Sequence, residues 1–99
     1  MNMQAMMKQA QALQRDMLKA KEEVDNSEFV GESSLVKVTV KGTKEVVKVE
    51  IDSSESLDKD EIEMLQDMIV VAINDAFKQV DKITEEKMGP YTKGMPGLF

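Results

Sequence analysis

The sequence predicts an α+β domain in which a long helix, an antiparallel three-stranded sheet and a second long helix follow one another. Three observations predict this order. Apolar residues recur at helical spacing near the N-terminus, alternate with polar residues in the middle of the chain, and return to helical spacing in the C-terminal half. Since 99 residues fit one domain, we expect a single α-β-β-β-α domain over residues 1–99, with a flexible Gly/Pro-rich tail over residues 89–99.

The first helix is predicted from Asn2 to about Val24, because no glycine or proline interrupts it. Its apolar face is lined by Met3, Met6, Met7, Ala10, Leu13, Met17, Ala20 and Val24. The opposite side carries Lys8, Arg15 and Lys19 within about 40° of one line. This basic line is either a solvated outer surface or a stripe that faces phosphates. The methionines either fill the core or form an adaptable docking surface.

The middle of the chain has the alternating pattern of β-strands. Apolar residues occupy every second position in two runs, which are separated by a turn at Gly42: Val36, Val38 and Val40, then Val47, Val49 and Ile51. An earlier strand is expected over residues 28–32, with Ser33-Ser34 at the corner that follows it. We expect the mixed charges on the other face of this sheet to serve solubility.

The second helix is expected to follow a loop over residues 53–57, because Asp58 and Glu61 have the spacing of a capping box. Its main apolar stripe is Ile62, Leu65, Ile69, Ala72, Ile73, Ala76, Phe77 and Val80. Nothing in the sequence stops the helix before Gly89-Pro90. A helix of about 31 residues would be about 46 Å long, so it must overhang a compact domain of this size or bend.

A second apolar side on this helix predicts self-association. Met64, Met68 and Val71 lie far around the helix from the main stripe. Because so short a chain has little other apolar material to cover them, a second copy is the simplest cover. These three residues are therefore the candidate dimer interface. The alternative is that a monomer folds its own sheet and first helix around both sides.

Composition excludes several kinds of chemistry. The chain has no cysteine and no histidine, which removes Cys/His zinc sites and the nucleophilic systems that depend on either residue. Carboxylates are the ligand type that a hard cation binds, and four of them lie near the start of the second helix: Asp58, Asp60, Glu61 and Glu63. A helix start uses the same residue types for capping and to complement its dipole. We expect no enzyme, no cofactor and no metal. Neither a signal peptide nor a membrane span is visible, so we expect a cytoplasmic protein.

The charge of the chain is distributed unevenly. The formal net charge is −6, which argues against a strongly nucleic-acid-binding body. The first 24 residues nevertheless hold four basic and three acidic residues, a net charge of +1. Because charges more than about 8 Å apart are largely screened at physiological salt, a local basic line can bind phosphates despite the acidic total.

Three motifs in this order span the chain. They are Leu35-Val36-Lys37-Val38-Thr39-Val40-Lys41-Gly42, the run from Met64 to Ala76, and the ending Gly94-Met95-Pro96-Gly97-Leu98-Phe99. Together they resemble the YbaB/EbfC family of bacterial nucleoid-associated proteins. The resemblance implies a tweezer-like homodimer, located in the cytoplasm on the nucleoid, whose projecting helical ends contact double-stranded DNA.

The same resemblance implies which residues contact DNA. Transferred to this sequence, the contacts come from both helical arms and are Lys8, Arg15, Lys19, Lys78, Lys82 and Lys87. For Lys78 and Lys82 the alternative is simple pairing with neighbouring acids. The chain departs from the family pattern at Ser33-Ser34, where many relatives carry glycines, so we expect a different turn at this corner.

Two functions stay open. The first is a nucleoid-associated protein that binds duplex DNA as a homodimer, mainly by sequence-tolerant phosphate contacts from its helical arms. The alternative is a protein–protein interaction module that uses the Met-rich first helix, with DNA binding incidental. Whether recombination or replication proteins are partners is left open by the sequence.

Overall fold

The computed structural model describes residues 2–52 and 57–92. The elements follow the predicted order, and the three strands form one antiparallel sheet in the order β1-β2-β3. Their bounds are α1 (Met3–Asn26), β1 (Glu28–Ser33), β2 (Val36–Lys41), β3 (Val46–Ile51) and α2 (Lys59–Thr92). The predicted α-β-β-β-α fold is confirmed. Residues 53–56 of the predicted loop and residues 93–99 of the predicted tail lie outside the described residues.

The core lies between α2 and the first two strands. Val36, Val38 and Val40 form the inner face of β2 and are fully buried. They pack against residues of the predicted apolar stripe, namely buried Ala72, Ala76 and Val80 and half-buried Leu65, Ile69, Ile73 and Phe77. The stripe is therefore confirmed, except that Ile62 at its start remains exposed.

The helix comes closest to the sheet at Gly31. A Cβ atom at this position would collide with the carbonyl oxygen of Ala72 and would lie 2.6 Å from the amide nitrogen of Ala76. Nearby, the side-chain amide of Gln79 donates a 2.7 Å hydrogen bond to the carbonyl oxygen of Val30. Glycine on the strand and alanines on the helix thus allow the two backbones to approach, and the hydrogen bond helps to fix their register.

β3 differs from the predicted pattern. Val49 pairs with Val38 and Ile51 with Val36, so both face the side of the sheet that carries α2. A register shift between Thr39 and Val40 then places Val46 opposite Val40. The prediction that Val47 continues the apolar alternation is therefore wrong, because a bulge adds one residue to β3 and changes the side on which each earlier residue lies.

α1 reaches the sheet at the end where α2 leaves it. The amide of Gly42 donates a 3.0 Å hydrogen bond to the carbonyl oxygen of Ser27, directly after α1. At the same end, the ammonium group of Lys44 forms a 2.8 Å ion pair with Asp81 of α2. Because one helix arrives where the other departs, the two run in opposite directions side by side, and Met88 is buried there.

We call α1 together with residues 81–92 of α2 the arm. The arm makes the molecule elongated, with extents of 72 × 20 × 14 Å and a radius of gyration of 19.7 Å, against about 13 Å for a compact 100-residue domain. The predicted overhang of α2 is therefore confirmed. Neither described helix is long and apolar enough to cross a membrane.

α2 continues beyond its predicted end. We expected it to stop before Gly89-Pro90, but it runs through Pro90 to Thr92. A proline removes one backbone hydrogen bond and crowds the preceding turn, which costs least near a helix end. Packing in the arm offsets this cost, since Met88 is buried and Tyr91 is half-buried. Residues 89–92 therefore belong to the helix and not to the predicted flexible tail.

The predicted start of α2 is confirmed at the atomic level. The carboxylate of Asp58 accepts a 2.8 Å hydrogen bond from the amide of Glu61. α1 begins in the same manner, because the side chain of Asn2 accepts a 3.0 Å hydrogen bond from the amide of Gln4. Each cap satisfies an amide that has no partner within its own helix.

The corner between β1 and β2 takes a left-handed backbone conformation without glycine. Ser34 has φ 51°, one of two non-glycine residues with positive φ in the described chain. A Cβ atom in this region costs about 1–2 kcal/mol. The corner therefore keeps the conformation that glycine favours, at an energetic cost.

Gly31→Ala is expected to lower the free energy of unfolding by about 1–3 kcal/mol, the usual cost of overpacking, because its Cβ meets backbone atoms that cannot rotate away. Chemical denaturation measures the change. Gly89→Ala is the matched control, since a Cβ there meets no atom within 4 Å and alanine favours helices. Equal stability of Gly31→Ala and the wild type would contradict the close approach.

Ser34→Gly is expected to raise the free energy of unfolding by about 0.5–1 kcal/mol, because glycine adopts positive φ without a Cβ penalty. Ser33→Gly, in the neighbouring strand position, is the control and is expected to lower stability. The two denaturation midpoints should therefore move in opposite directions. A lower midpoint for Ser34→Gly would show that the corner is not strained.

Candidate nucleic-acid interface

The six predicted DNA-contact residues are all exposed on the two helices. On α1, the basic line of Lys8, Arg15 and Lys19 points away from α2, because the opposite side of α1 is the one that packs. That packed side contains Met17 and Ala20, which are half-buried, and Val24, which is buried. The structure therefore presents the three α1 cations together on the outer surface of the arm.

The cations of α2 are arranged differently. Lys78 and Lys82 are one turn apart and share a side, whereas Lys87 lies roughly half a turn around the helix from them. Acidic residues surround this group. Residues 75–87 hold three lysines and four carboxylates, so this part of α2 has no local positive charge to add to the arm.

Ion pairs distinguish the six candidates from four other lysines. In the described part of the chain, the ion pairs are Lys21–Asp25, Lys37–Glu32, Lys44–Asp81 and Lys48–Glu50. None of the six candidates takes part in one, and the alternative pairing of Lys78 and Lys82 with neighbouring acids does not occur among these residues. At the six positions, a phosphate therefore competes with no carboxylate of residues 2–52 and 57–92.

The outer face of the sheet illustrates the contrast. The ammonium group of Lys48 lies 2.8 Å from a carboxylate oxygen of Glu50. This hydrogen bond and the attraction between the charges raise the pKa of Lys48 and lower the pKa of Glu50. Lys37 lies 3.8 Å from Glu32 on the same face. The charges of this face therefore largely neutralise one another.

The N-terminal half of α1 is the part of the arm with uncompensated positive charge. Residues 2–15 contain Lys8 and Arg15 and no acidic residue. The unpaired amides at the helix start add a partial positive charge, and every residue from 2 to 11 is exposed. Charge and access thus favour this half of α1 over α2 as a phosphate-binding surface.

The candidate dimer residues lie on the side of α2 next to β1. Met64 and Val71 are 58% and 54% exposed, and Met68 is half-buried. They lie near Ser33 at the end of β1. The chain does not cover this side of α2 with its own described residues. We call these three residues the methionine flank.

A second uncovered apolar surface, which the sequence analysis missed, lies on the other side of α2. Its members are each 42–57% exposed: Val46, Val49 and Ile51 of β3, and Ile62 and Val70 of α2. A helix is about 10 Å across and strands lie about 4.8 Å apart, so one helix covers about two strands. α2 lies over β1 and β2. The described residues leave the inner side of β3 uncovered, and we call this set of five residues the β3 surface.

The acidic residues at the start of α2 serve the helix. In the described ranges, no three carboxylates converge in a way that could hold a metal ion. Asp58 is the N-cap, and its charge raises the pKa of the neighbouring Glu61 carboxyl. The residues that the sequence offered as cation ligands are thus explained by capping and by the helix dipole.

Comparisons with known proteins point to one family. The model of the YbaB/EbfC DNA-binding family matches residues 1–95. A nucleoid-associated protein of Lactococcus lactis subsp. lactis is 46% identical over 98 residues, which cover 97% of this chain and 98% of that protein. A nucleoid-associated protein of Enterococcus faecalis is 44% identical over 99 residues, which cover 98% of this chain and 94% of that protein.

The fold is also similar to that of a solved structure. A crystal structure of an uncharacterized protein from Helicobacter pylori matches with a TM-score of 0.65. The match covers 98% of this chain and 99% of that chain, at 22% sequence identity. At this identity, the likeness concerns the fold alone.

Proposed function

This chain belongs to the YbaB/EbfC DNA-binding family, whose members are nucleoid-associated and not enzymes, and we propose on this basis that it binds duplex DNA as a homodimer through phosphate contacts from its arm. The observation that carries the proposal is the row of exposed cations on α1, none of which forms an ion pair within the described part of the chain. The names of its relatives support a location on the bacterial nucleoid.

The proposed contact follows the DNA backbone. Lys8 and Lys19 are about 16 Å apart along the helix axis, a length that corresponds to the rise of roughly five base pairs along the duplex axis. Arg15 lies between them on the same line. Such contacts position a protein on DNA but do not read its sequence. We therefore propose sequence-tolerant binding with a dissociation constant of roughly 10⁻⁴ to 10⁻⁶ M at physiological salt.

The part of the molecule outside the arm, which we call the body, is acidic, and this explains why DNA is proposed to contact the arm. A dimer carries twice the chain's formal net charge of −6, so most of its surface repels DNA. The N-terminal half of α1 projects beyond the body and has no acidic residue. Duplex DNA is therefore attracted to the arm and held away from the sheet, and the attraction weakens steeply with salt.

The homodimer is proposed because two apolar surfaces need cover. The methionine flank and the β3 surface are open in a single chain, and contiguous exposed apolar patches are typical of association sites. In a two-fold dimer each chain contributes the same surface, so one contact can cover that apolar surface on both chains at once. The alternative, a monomer that covers both sides of α2 by itself, finds no support in the exposure of these residues.

A second candidate function rests on the methionines of α1. Met3, Met6 and Met7 are 76%, 47% and 59% exposed, and an amphipathic helix with an open apolar face can dock on another protein. In this alternative, the basic line is only a solvated surface. The two functions differ in whether removal of the basic line weakens DNA binding.

Changing Lys8, Arg15 and Lys19 together to Gln is expected to weaken duplex binding at least tenfold at low salt. It should also reduce the slope of log affinity against log salt by roughly 3 for each arm engaged, since each phosphate contact contributes about 0.9. Fluorescence anisotropy with a labelled duplex across a salt series measures both quantities.

The matched control removes the same charge from the outer face of the sheet, by changing Lys37, Lys41 and Lys48 together to Gln. This variant is expected to bind within about twofold of the wild type, because two of these three lysines are already paired. Unchanged binding by the α1 variant, or an equal loss in the control, would refute the proposed surface.

Charged substitutions on either uncovered surface are expected to separate the dimer. Val49→Glu with Ile51→Glu tests the β3 surface, and Met64→Glu with Val71→Glu tests the methionine flank. All four side chains are 43–58% exposed in the single chain, so the fold should tolerate the changes, whereas burial of a charge in an interface costs several kcal/mol. Light scattering should give the mass of one chain, 11.1 kDa.

The control adds the same two charges to the arm, as Gln4→Glu with Gln11→Glu, and should keep the mass of the wild-type dimer. Circular dichroism confirms that each variant is folded. A variant that retains a dimer mass would exclude its own surface from the interface, and retention by both variants would refute the proposed interface.

A further inference from the structure

Seven of the eight residues on the apolar face of α1, all except Met7, have the spacing of a coiled-coil seam. Its members alternate at spacings of three and four residues over seven positions: Met3, Met6, Ala10, Leu13, Met17, Ala20 and Val24. A 3-4 repeat of this kind is the pattern by which one helix packs against another along a continuous line. We call these seven residues the α1 seam.

The described residues cover only the second half of the α1 seam. Met17, Ala20 and Val24 are half-buried or buried where α1 contacts α2. Met3 and Met6 are exposed, as is Ala10, and Leu13 is 40% exposed. The seam thus extends past the part of α2 that packs on it.

The lengths of the helices explain this arrangement. From the ion pair with Lys44 at the end of the sheet, α2 continues from Asp81 to Thr92, about 17 Å. From the same level, α1 extends from Asn26 to Met3, about 35 Å. Roughly half of α1 therefore projects beyond the described end of α2, with four seam positions still unfilled.

We propose that the free half of the α1 seam pairs antiparallel with the same segment of a second copy of this chain. In this register, Met3 lies opposite Leu13 and Met6 lies opposite Ala10, so each long side chain meets a shorter or branched one. The α1 helix of the second copy packs on the α1 seam beyond the described end of α2 and runs in the same direction as α2. The contact is thus continuous with the α1–α2 packing inside the arm.

The residues beside the seam favour a second copy as the partner. Met7, Gln9 and Gln14 flank it and are uncharged, and residues 2–15 contain no acid. The flanks therefore offer nothing to a partner that is selected by charge. Lys8 and Arg15 lie on the far side of the helix, so self-pairing leaves both cations in solvent.

The helix dipole sets the antiparallel direction. Parallel pairing would place two positive helix starts next to each other. Antiparallel pairing separates the two starts, and it brings each start towards the negative C-terminal end of the other chain's α2. Four seam positions per chain make a small contact, which belongs to the weak and transient class of interfaces.

This pairing joins two molecules through their arms. The contact itself does not depend on DNA binding. Where the proposed function holds, the basic lines of both arms face outward from the paired seam, so the link connects two DNA-binding surfaces. The class of partner is a second copy of this chain, and the site is the N-terminal half of α1.

Disulfide trapping tests the pairing directly, because the natural chain has no cysteine. Full-length Met6→Cys and Ala10→Cys variants are mixed in equal amounts under mild oxidation without DNA. We expect the mixed disulfide to form at least fivefold faster than a disulfide within either variant alone. The reason is that the proposed register places position 6 of one chain opposite position 10 of the other, and a disulfide requires a Cα separation below about 7 Å.

A matched pair on the outer side of α1, Gln4→Cys mixed with Gln11→Cys, should show no such excess. The experiment is repeated with Met64→Glu and Val71→Glu in every chain. These changes are expected to separate the homodimer of the proposed function, so loss of that homodimer and loss of the seam contact are distinguished. Persistence of the mixed disulfide in that background supports the pairing as a contact in its own right.

Three outcomes would overturn the proposal. The first is no excess of the mixed disulfide over the outer pair. The second is an Ala10→Cys disulfide that forms as fast alone as in the mixture, which indicates parallel helices. The third is a mixed disulfide that forms only after residues 93–99 are deleted, which would assign the free half of the seam to that segment of the same chain.

Discussion

A single helix is too narrow to cover a three-stranded sheet, and most features of this molecule follow from that constraint. α2 lies over β1 and β2, where the Gly31 contact lets the two backbones approach closely. Within residues 2–52 and 57–92, no element packs over the inner side of β3 to bury it. The same helix is longer than the sheet it covers, so its C-terminal part projects and forms the arm with α1. An incompletely covered body and a projecting arm are thus two results of the same packing arrangement.

In the proposed function, the arm is the surface at which this strongly acidic chain binds the phosphates of DNA. On the sheet, lysines lie close enough to glutamates to form ion pairs, and this surface has little unpaired positive charge. On α1, the basic residues have turned away from the packed seam, and the first acidic residue of the chain is Asp16. Screening confines the repulsion of the body to its own surroundings. The distribution of charge along the chain therefore matters more for DNA binding than its sum.

Much of the fold was predictable from local patterns. Helical and alternating periodicities gave the order of the elements, and the spacing of Asp58 and Glu61 gave the start of α2, because capping depends on residues that are close in sequence. The basic line on α1 was visible for the same reason. Whether its residues contact DNA depends on a partner that one chain does not contain.

The features that could not be predicted depend on contacts between distant parts of the chain. The bulge at Val47 depends on the pairing of β3 with β2, and the passage of α2 through Pro90 depends on packing against α1. The β3 surface was missed because alternation in Val49 and Ile51 predicts a buried side but does not say which element covers it.

The central claim is that a second copy of the chain covers the β3 surface. Small-angle X-ray scattering of the wild type at micromolar concentration tests it most directly. A dimer should have twice the chain mass of 11.1 kDa and a radius of gyration above 19.7 Å. A particle of 11.1 kDa with a radius of gyration near 19.7 Å would contradict the cover of the β3 surface by a second copy.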